Sequence, residues 1–304
     1  MALLRNARDD FAALVERVAQ QLDYPVAFVE RDNWITEILR SIAKPILDVD
    51  ARVVFKGGTS LSKGWRLIAT GGDRNRVLRH LISRTSADTG LAPTGQTGKT
   101  ASIAPELSSI LKPMLTELTG TRVLLELGTR GGPEPYRRLN LRSYISEVAV
   151  DVFQIPHHAF DEFTPFEIDT LEPERTLLEK LAALHTIASQ AAADPNALEN
   201  LGTKMRHAYD IAMLLGHQQT VTALRGLDLA GMLADIEHRT ITGDWEWTPR
   251  PPGGFSDSPA FEDAFIAHPS VIRAYEQARA LVVGGLKPSL TEIVELVRSH
   301  GELL

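Results

Sequence analysis

Eight consecutive residues hold the most chemistry in this chain: Lys56, Gly57, Gly58, Thr59, Ser60, Leu61, Ser62 and Lys63. A Gly-Gly turn followed by hydroxyl side chains at a helix start presents backbone N–H groups and the positive end of the helix dipole, which phosphates favour. Flanking lysines add charge. As bare chemistry the signal is weak, because ordinary strand-to-helix turns use the same residues. Other groupings offer less. Thr94 to Thr100 ends in Gly98-Lys99-Thr100, but the glycine that a P-loop needs five residues before its Gly-Lys pair is here Pro93, with no apolar strand ahead of it. His157 and His158 are adjacent after Pro156, the pattern of a solvated loop, and no His-Glu-x-x-His spacing occurs. Ser143 lacks the glycines of a nucleophile elbow. Trp245 and Trp247 have the chemistry to stack on a base, although packing of the C-terminal helices is the commoner use of such residues.

These residues need elements to position them. Phe11, Leu14, Val15, Val18 and Leu22, then Trp34, Ile35, Ile38, Leu39, Ile42 and Ile46, have helical spacing and predict two N-terminal helices. Ala51 to Phe55 reads as a short buried strand breaking at Gly57-Gly58, and Leu61 to Ile68 as a helix capped by Thr59 or Ser60. Ser83 to Thr100 is rich in Ser, Thr and Gly without periodicity and reads as a mobile loop. Arg122 to Gly128 is a second strand, closed by a turn at Gly131 to Pro135. Leu141 to Phe153 is compatible with helix or strand. Phe166 to Thr170 reads as a strand, followed by a helix opened by Pro173 over Glu172 to His185, another over Lys204 to Leu215, and helices near 270–283 and 289–300. Glu126 lies at the centre of an apolar strand, where an unpaired acid is costly unless it meets a metal or a base.

The 304 residues, 43% hydrophobic and 23% charged, suit a globular protein with a real core. The chain has no cysteine, which excludes disulfides, thiolate nucleophiles and cysteine-bound zinc and fits a cytoplasmic setting. Its N-terminus lacks the apolar run of a signal peptide, and no stretch approaches the roughly 20 apolar residues of a membrane span. A net charge of −7 argues against a wholly basic nucleic-acid clamp while leaving room for a local basic groove, and no DNA partner is expected.

The full string Lys56 to Lys63, with Leu67 and Ile68 beyond it, resembles the signature of AbiEii/AbiGii-type nucleotidyltransferases, toxin components of bipartite toxin–antitoxin and phage-defence systems. Leu124 to Gly128 resembles a later core strand of that family, Leu141 to Tyr144 the segment after it, Thr176 to Leu181 its lysine-bearing helix, and Arg206 to Asp210 its Tyr-Asp motif. The resemblance implies an α/β (α+β) nucleotidyltransferase-like domain over residues 1–165, a small mixed sheet with flanking helices, and a mainly helical domain over 166–304. It implies an NTP bound by Lys56, Gly57, Gly58, Thr59, Ser60 and Lys63, with two catalytic residues reaching in from the helical half: Lys180 to hold phosphates and Asp210 to position the nucleotide or metal. It further implies Mg²⁺, a cognate antitoxin as partner, and a cellular acceptor for which tRNA is a candidate.

One part of the family pattern is missing. The acidic Asp-x-Asp pair that the resemblance places about fourteen residues after the motif serine is here Arg74-Asn75-Arg76, with Asp73 the nearest acid. Three readings stay open. The chain is a degenerate member that binds nucleotide or antitoxin without turnover; or Asp73, offered here as catalytic residue and metal ligand, joins Glu126 to rebuild a metal site; or residues from Ala69 to about Gly120 are out of register with an ancestral frame. On the last reading, an alternative frame of the gene encodes an acidic strand just after Ile68.

Overall fold

A computed structural model describes residues 2–43, 51–68, 76–83, 124–128, 132–194, 197–198, 201–282 and 285–304, with the backbone alone for 51–52, 76–83, 124–128 and 202–203. The described residues combine a mainly helical chain with a mixed sheet. Helices α1 (Arg8–Leu22) and α2 (Val26–Ala43) come first, then β1 (Ala51–Phe55) and a single π-helical turn, Ser60–Gly64. After β2 (Arg76–Ser83), β3 (Leu124–Gly128) and β4 (Tyr136–Leu141) come α3 (Tyr144–Glu147), a π-helical extension over Val148–Val152, and β5 (Phe166–Leu171). The remainder is helical: α4 (Pro173–Ala193), α5 (Arg206–Leu215), α6 (Gln218–Arg225), α7 (Leu229–Thr242), α8 (Asp263–Ile266), α9 (Pro269–Arg279) and α10 (Leu290–Ser299).

The strand order is β3-β2-β1-β5-β4. β1 runs antiparallel to β2 and parallel to β5, β2 runs parallel to β3, and β4 runs antiparallel to β5. β5, which begins one residue past the expected boundary at 165, lies between β1 and β4, so the sheet draws on both sides of that boundary.

Apolar spacing explains the packing. On α1, Leu14, Val15 and Val18 fall on one helical stripe and pack with Ile145, Val148, Ala149 and Phe163. On α2, Ile35, Ile38, Leu39 and Ile42 cover Phe55, Leu141 and Ile168 of the sheet. The largest cluster surrounds α4, whose Leu177, Leu178 and Leu181 are fully buried and pack with α5, α9 and α10. Pro173 occupies the first turn of α4, where its missing N–H costs nothing, and a Ser289/Glu292 capping box opens α10.

One expectation changes, one open reading is settled, and one falls almost wholly outside the described residues. The helix read over Leu61 to Ile68 is only the turn Ser60–Gly64, because a Cβ on Gly64 would lie 3.3 Å from Thr170 and 3.4 Å from Leu139, and Arg66 adopts a left-handed φ of 58°. The ambiguous stretch after Leu141 is helical. Ser143 caps it by accepting from Ser146 N at 3.1 Å, and Val148, Ala149 and Val150 are apolar because they enter the core. Ser83 ends β2, while the rest of the loop read to Thr100, with the Thr94–Thr100 string, lies outside the described residues.

Candidate functional site

The glycine turn follows from the end of β1. Phe55 is fully buried, and Gly57 has φ +84°, a conformation that an L side chain resists. The carbonyl of Gly57 accepts from Ser60 N at 3.1 Å, Leu61 N at 3.2 Å and Ser60 Oγ at 2.8 Å, which closes the turn on itself. Thr59 and Ser60 are buried beneath it. Trp65, just past the turn, donates from Nε1 to Leu171 O at 2.9 Å and ties the motif to the end of β5.

Helix α4 brings two consecutive charged residues to this turn. Glu179 Oε2 lies 2.9 Å from Lys56 Nζ, while Lys180 Nζ lies 2.5 Å from Asp210 Oδ2 on α5 and 3.5 Å from His207 Nδ1. Asp210 also faces the turn: a Cβ built on Gly58 would lie 3.7 Å from its Oδ2. Residues 58, 180 and 210 thus meet in one place. Almost every face of α4 is buried, so its charged groups must be paired there.

Lys63 points elsewhere. Its Nζ donates to Asp32 Oδ1 at 2.6 Å and to Arg142 O at 3.1 Å, and the other Asp32 oxygen accepts from Tyr144 N at 2.7 Å. This buried cluster locks the motif to α2 and α3. Arg66 pairs with Glu147 beside it, with its guanidinium over the Tyr144 ring at 5.2 Å. Burial raises the Glu147 pKa against the pull of Arg66 and Lys63, and burial together with the Asp32 charge pushes the Tyr144 hydroxyl upward.

The expected acidic positions are less fully described. Asp73, Arg74 and Asn75 lie outside the described residues, and β2 opens at Arg76. In β2, Arg79 pairs with Phe55, and Leu78, one residue nearer the turn, pairs with Glu126 of β3. Glu126 is therefore level with the start of the turn and two strands away, about 10 Å by ordinary strand spacing. Among the described residues no group of three His, Asp or Glu side chains is placed to hold a metal ion. The two carboxylates at the turn do not fit that task as they stand, since Asp210 and Glu179 each face a lysine.

A family model described as nucleotidyl transferase AbiEii toxin of type IV toxin–antitoxin systems matches residues 72–292, more than half of the chain. The chain belongs to the AbiEii nucleotidyl transferase toxin family. The matched residues include the positions of Asp73, Glu126, Lys180 and Asp210 and begin after the Lys56–Lys63 string. Membership implies an NTP as substrate and a cognate antitoxin as partner. No curated protein and no solved structure matches the chain. No helix among the described residues is long and apolar enough to cross a membrane.

Within this AbiEii-family chain, sequence reasoning missed Glu179 and Asp32, the partners of the two motif lysines. Asp32 carried a signal, because it stands three residues after Val29 and three before Ile35 on the buried side of α2. The other groups weighed at first have structural places. His157 and His158 are exposed in a short 3-10 turn, Ser143 is a helix cap, and Trp247 packs against the helical core.

Proposed function

We propose that this chain is a nucleotidyl-transfer toxin that holds an NTP at the Lys56–Lys63 turn and passes its nucleotidyl group to a cellular acceptor, with tRNA the acceptor to test first. The observation that carries the reading is the convergence of Gly58, Lys180 and Asp210, which are far apart in sequence. In this reading Gly57 and Gly58 let the phosphates approach the backbone, and Lys56 and Lys180 supply positive charge. Asp210 holds Lys180 in place and orients the nucleotide. The nucleotidyltransferase-like domain is the N-terminal sheet with its helices, and the helical C-terminal half contributes Lys180 and Asp210.

The Mg²⁺ that such transfer calls for would neutralise charge on the phosphates. Asp73 and Glu126 would be the residues to hold it, since the carboxylates of Glu179 and Asp210 are engaged by lysines. A second reading takes support from Arg74 and Arg76, which stand where the family resemblance places acids: the chain binds nucleotide or antitoxin without turnover.

Controlled expression in a bacterial host separates the two. The first reading expects growth arrest that disappears in Lys180→Ala and Asp210→Ala at matched protein level. Arrest that persists in both variants contradicts it. Tight nucleotide binding without arrest supports the second reading.

A further inference from the structure

Glu179 is a carboxylate that touches the motif lysine preceding the glycines, and nothing in the family pattern assigns it a role. Its Oε2 sits 2.9 Å from Lys56 Nζ, and its Oε1 sits 3.5 Å from Arg175 Nε, one helical turn earlier on α4. Arg175 is nearly inaccessible. Its Nη1 donates to Glu134 O at 2.7 Å, its Nη2 meets Asp235 at 2.6 Å, and its guanidinium packs against Gly132, where a side chain would collide with it. Asp235 is held in turn by Arg239 at 2.8 Å. Although burial opposes ionisation of Asp235, its hydrogen bonds to Arg175 and Arg239 keep its pKa below the usual value. Arg175 is therefore a fixed cation, while Lys56 is a buried lysine whose Nζ meets Glu179 at 2.9 Å.

We infer that Glu179 is a positioning residue that occupies Lys56 in the absence of nucleotide and yields it to the triphosphate, swinging onto Arg175 as it does so. The inference rests on the reading of the glycine turn as the nucleotide site. A phosphate oxygen bound to Lys56 Nζ would lie within about 6 Å of a carboxylate still on that same nitrogen, given hydrogen bonds of about 2.9 Å on each side. Like charges at that range repel appreciably in a partly buried site. Arg175 Nε already faces the other oxygen, so the displaced carboxylate keeps a cation and is not left unpaired in the interior. Glu179 thus sets the affinity of the site without touching the reacting atoms.

The test is equilibrium binding of a fluorescent ATP or GTP analogue to the full chain and to Glu179→Gln, Lys56→Ala, the double variant and Gly58→Val, with unfolding midpoints measured for each. Glu179→Gln is isosteric and keeps a hydrogen-bond acceptor beside Lys56. The inference expects it to bind on the order of tenfold tighter than the natural chain, as removal of one charge-assisted contact that competes with the ligand implies. It expects that gain to vanish in the Lys56→Ala background. Equal or weaker binding by Glu179→Gln with an unchanged midpoint, while the natural chain binds and Gly58→Val does not, overturns the inference and leaves the nucleotide site standing. A tenfold gain that persists without Lys56 overturns it as well. Binding by no form, or binding indifferent to Gly58→Val, defeats the nucleotide-site reading and this inference with it.

Discussion

Lys180 on α4 and Asp210 on α5 form an ion pair 2.5 Å long whose side chains are 7% and 3% exposed, at the point where the two helices meet the glycine turn. Two charges are kept out of water only when each satisfies the other, so losing either one leaves an uncompensated buried charge. Lys180→Ala or Asp210→Ala is expected to cost about 3–5 kcal/mol of stability. Urea unfolding measures this, and Lys180→Met with Asp210→Leu together should cost less than the two single losses added, because the pair leaves no orphan.

The two glycines make different predictions. Gly57→Ala forces a side chain into a left-handed conformation and should cost about 1–2 kcal/mol. At Gly58 a methyl group meets Asp210 Oδ2 at ordinary contact distance, so Gly58→Ala should keep the natural unfolding midpoint. Gly58→Val places a branched side chain against that carboxylate and should weaken nucleotide binding while costing about 1–3 kcal/mol of stability. Binding titrations on the three variants, read beside their melting curves, check both statements.

Asp32 holds Lys63 and the amide of Tyr144 at once, from inside α2. Asp32→Ala strands a buried ammonium and a backbone N–H, so we expect a loss of about 3–5 kcal/mol. Hydrogen exchange should then rise first in residues 60–64 and 144–147, which the carboxylate joins. Exchange unchanged in both segments contradicts this role.

Among the buried groups, His185 supplies a pH dependence. The Pro249 carbonyl can only accept, so Nε2 at 2.9 Å carries the proton and Nδ1 accepts from the Ser258 hydroxyl at 2.8 Å. Burial lowers the His185 pKa from its ordinary 6.5, against a raising effect of the Pro249 hydrogen bond. A folded-state pKa below the unfolded one gives stability that is present above pH 6.5 and is lost as the pH falls below it and through the folded-state value. Unfolding midpoints across that range should drop more steeply for the natural chain than for His185→Gln.

Much of this arrangement was legible in the sequence, and the reasons for the rest are physical. Helical periodicity revealed α1, α2, α4 and α5 because each buries a regular apolar stripe. β1 showed as an apolar run ending in a turn, and β5 as the alternation Phe166-Glu167-Ile168-Asp169-Thr170. β4 was missed because Arg137, Arg138 and Asn140 give an edge strand with an exposed face, the opposite of a buried run. β2 was missed because Arg76, Arg79 and His80 interrupt its apolar residues. At the site, glycines and hydroxyls marked the turn, but the partners of Lys56 and Lys63 are set by tertiary pairing. No local pattern links Lys56 to Glu179.

In the proposed function, nucleotidyl transfer proceeds at the meeting point of Gly58, Lys180 and Asp210. The most direct measurement incubates the purified chain with each labelled NTP, Mg²⁺ and total tRNA, beside Asp210→Ala and a variant with Arg74→Asp and Arg76→Asp. Label transferred by the natural chain and lost in Asp210→Ala is the predicted result. Transfer that survives Asp210→Ala, or silence from every form including the acid-restored one, contradicts transfer at this site.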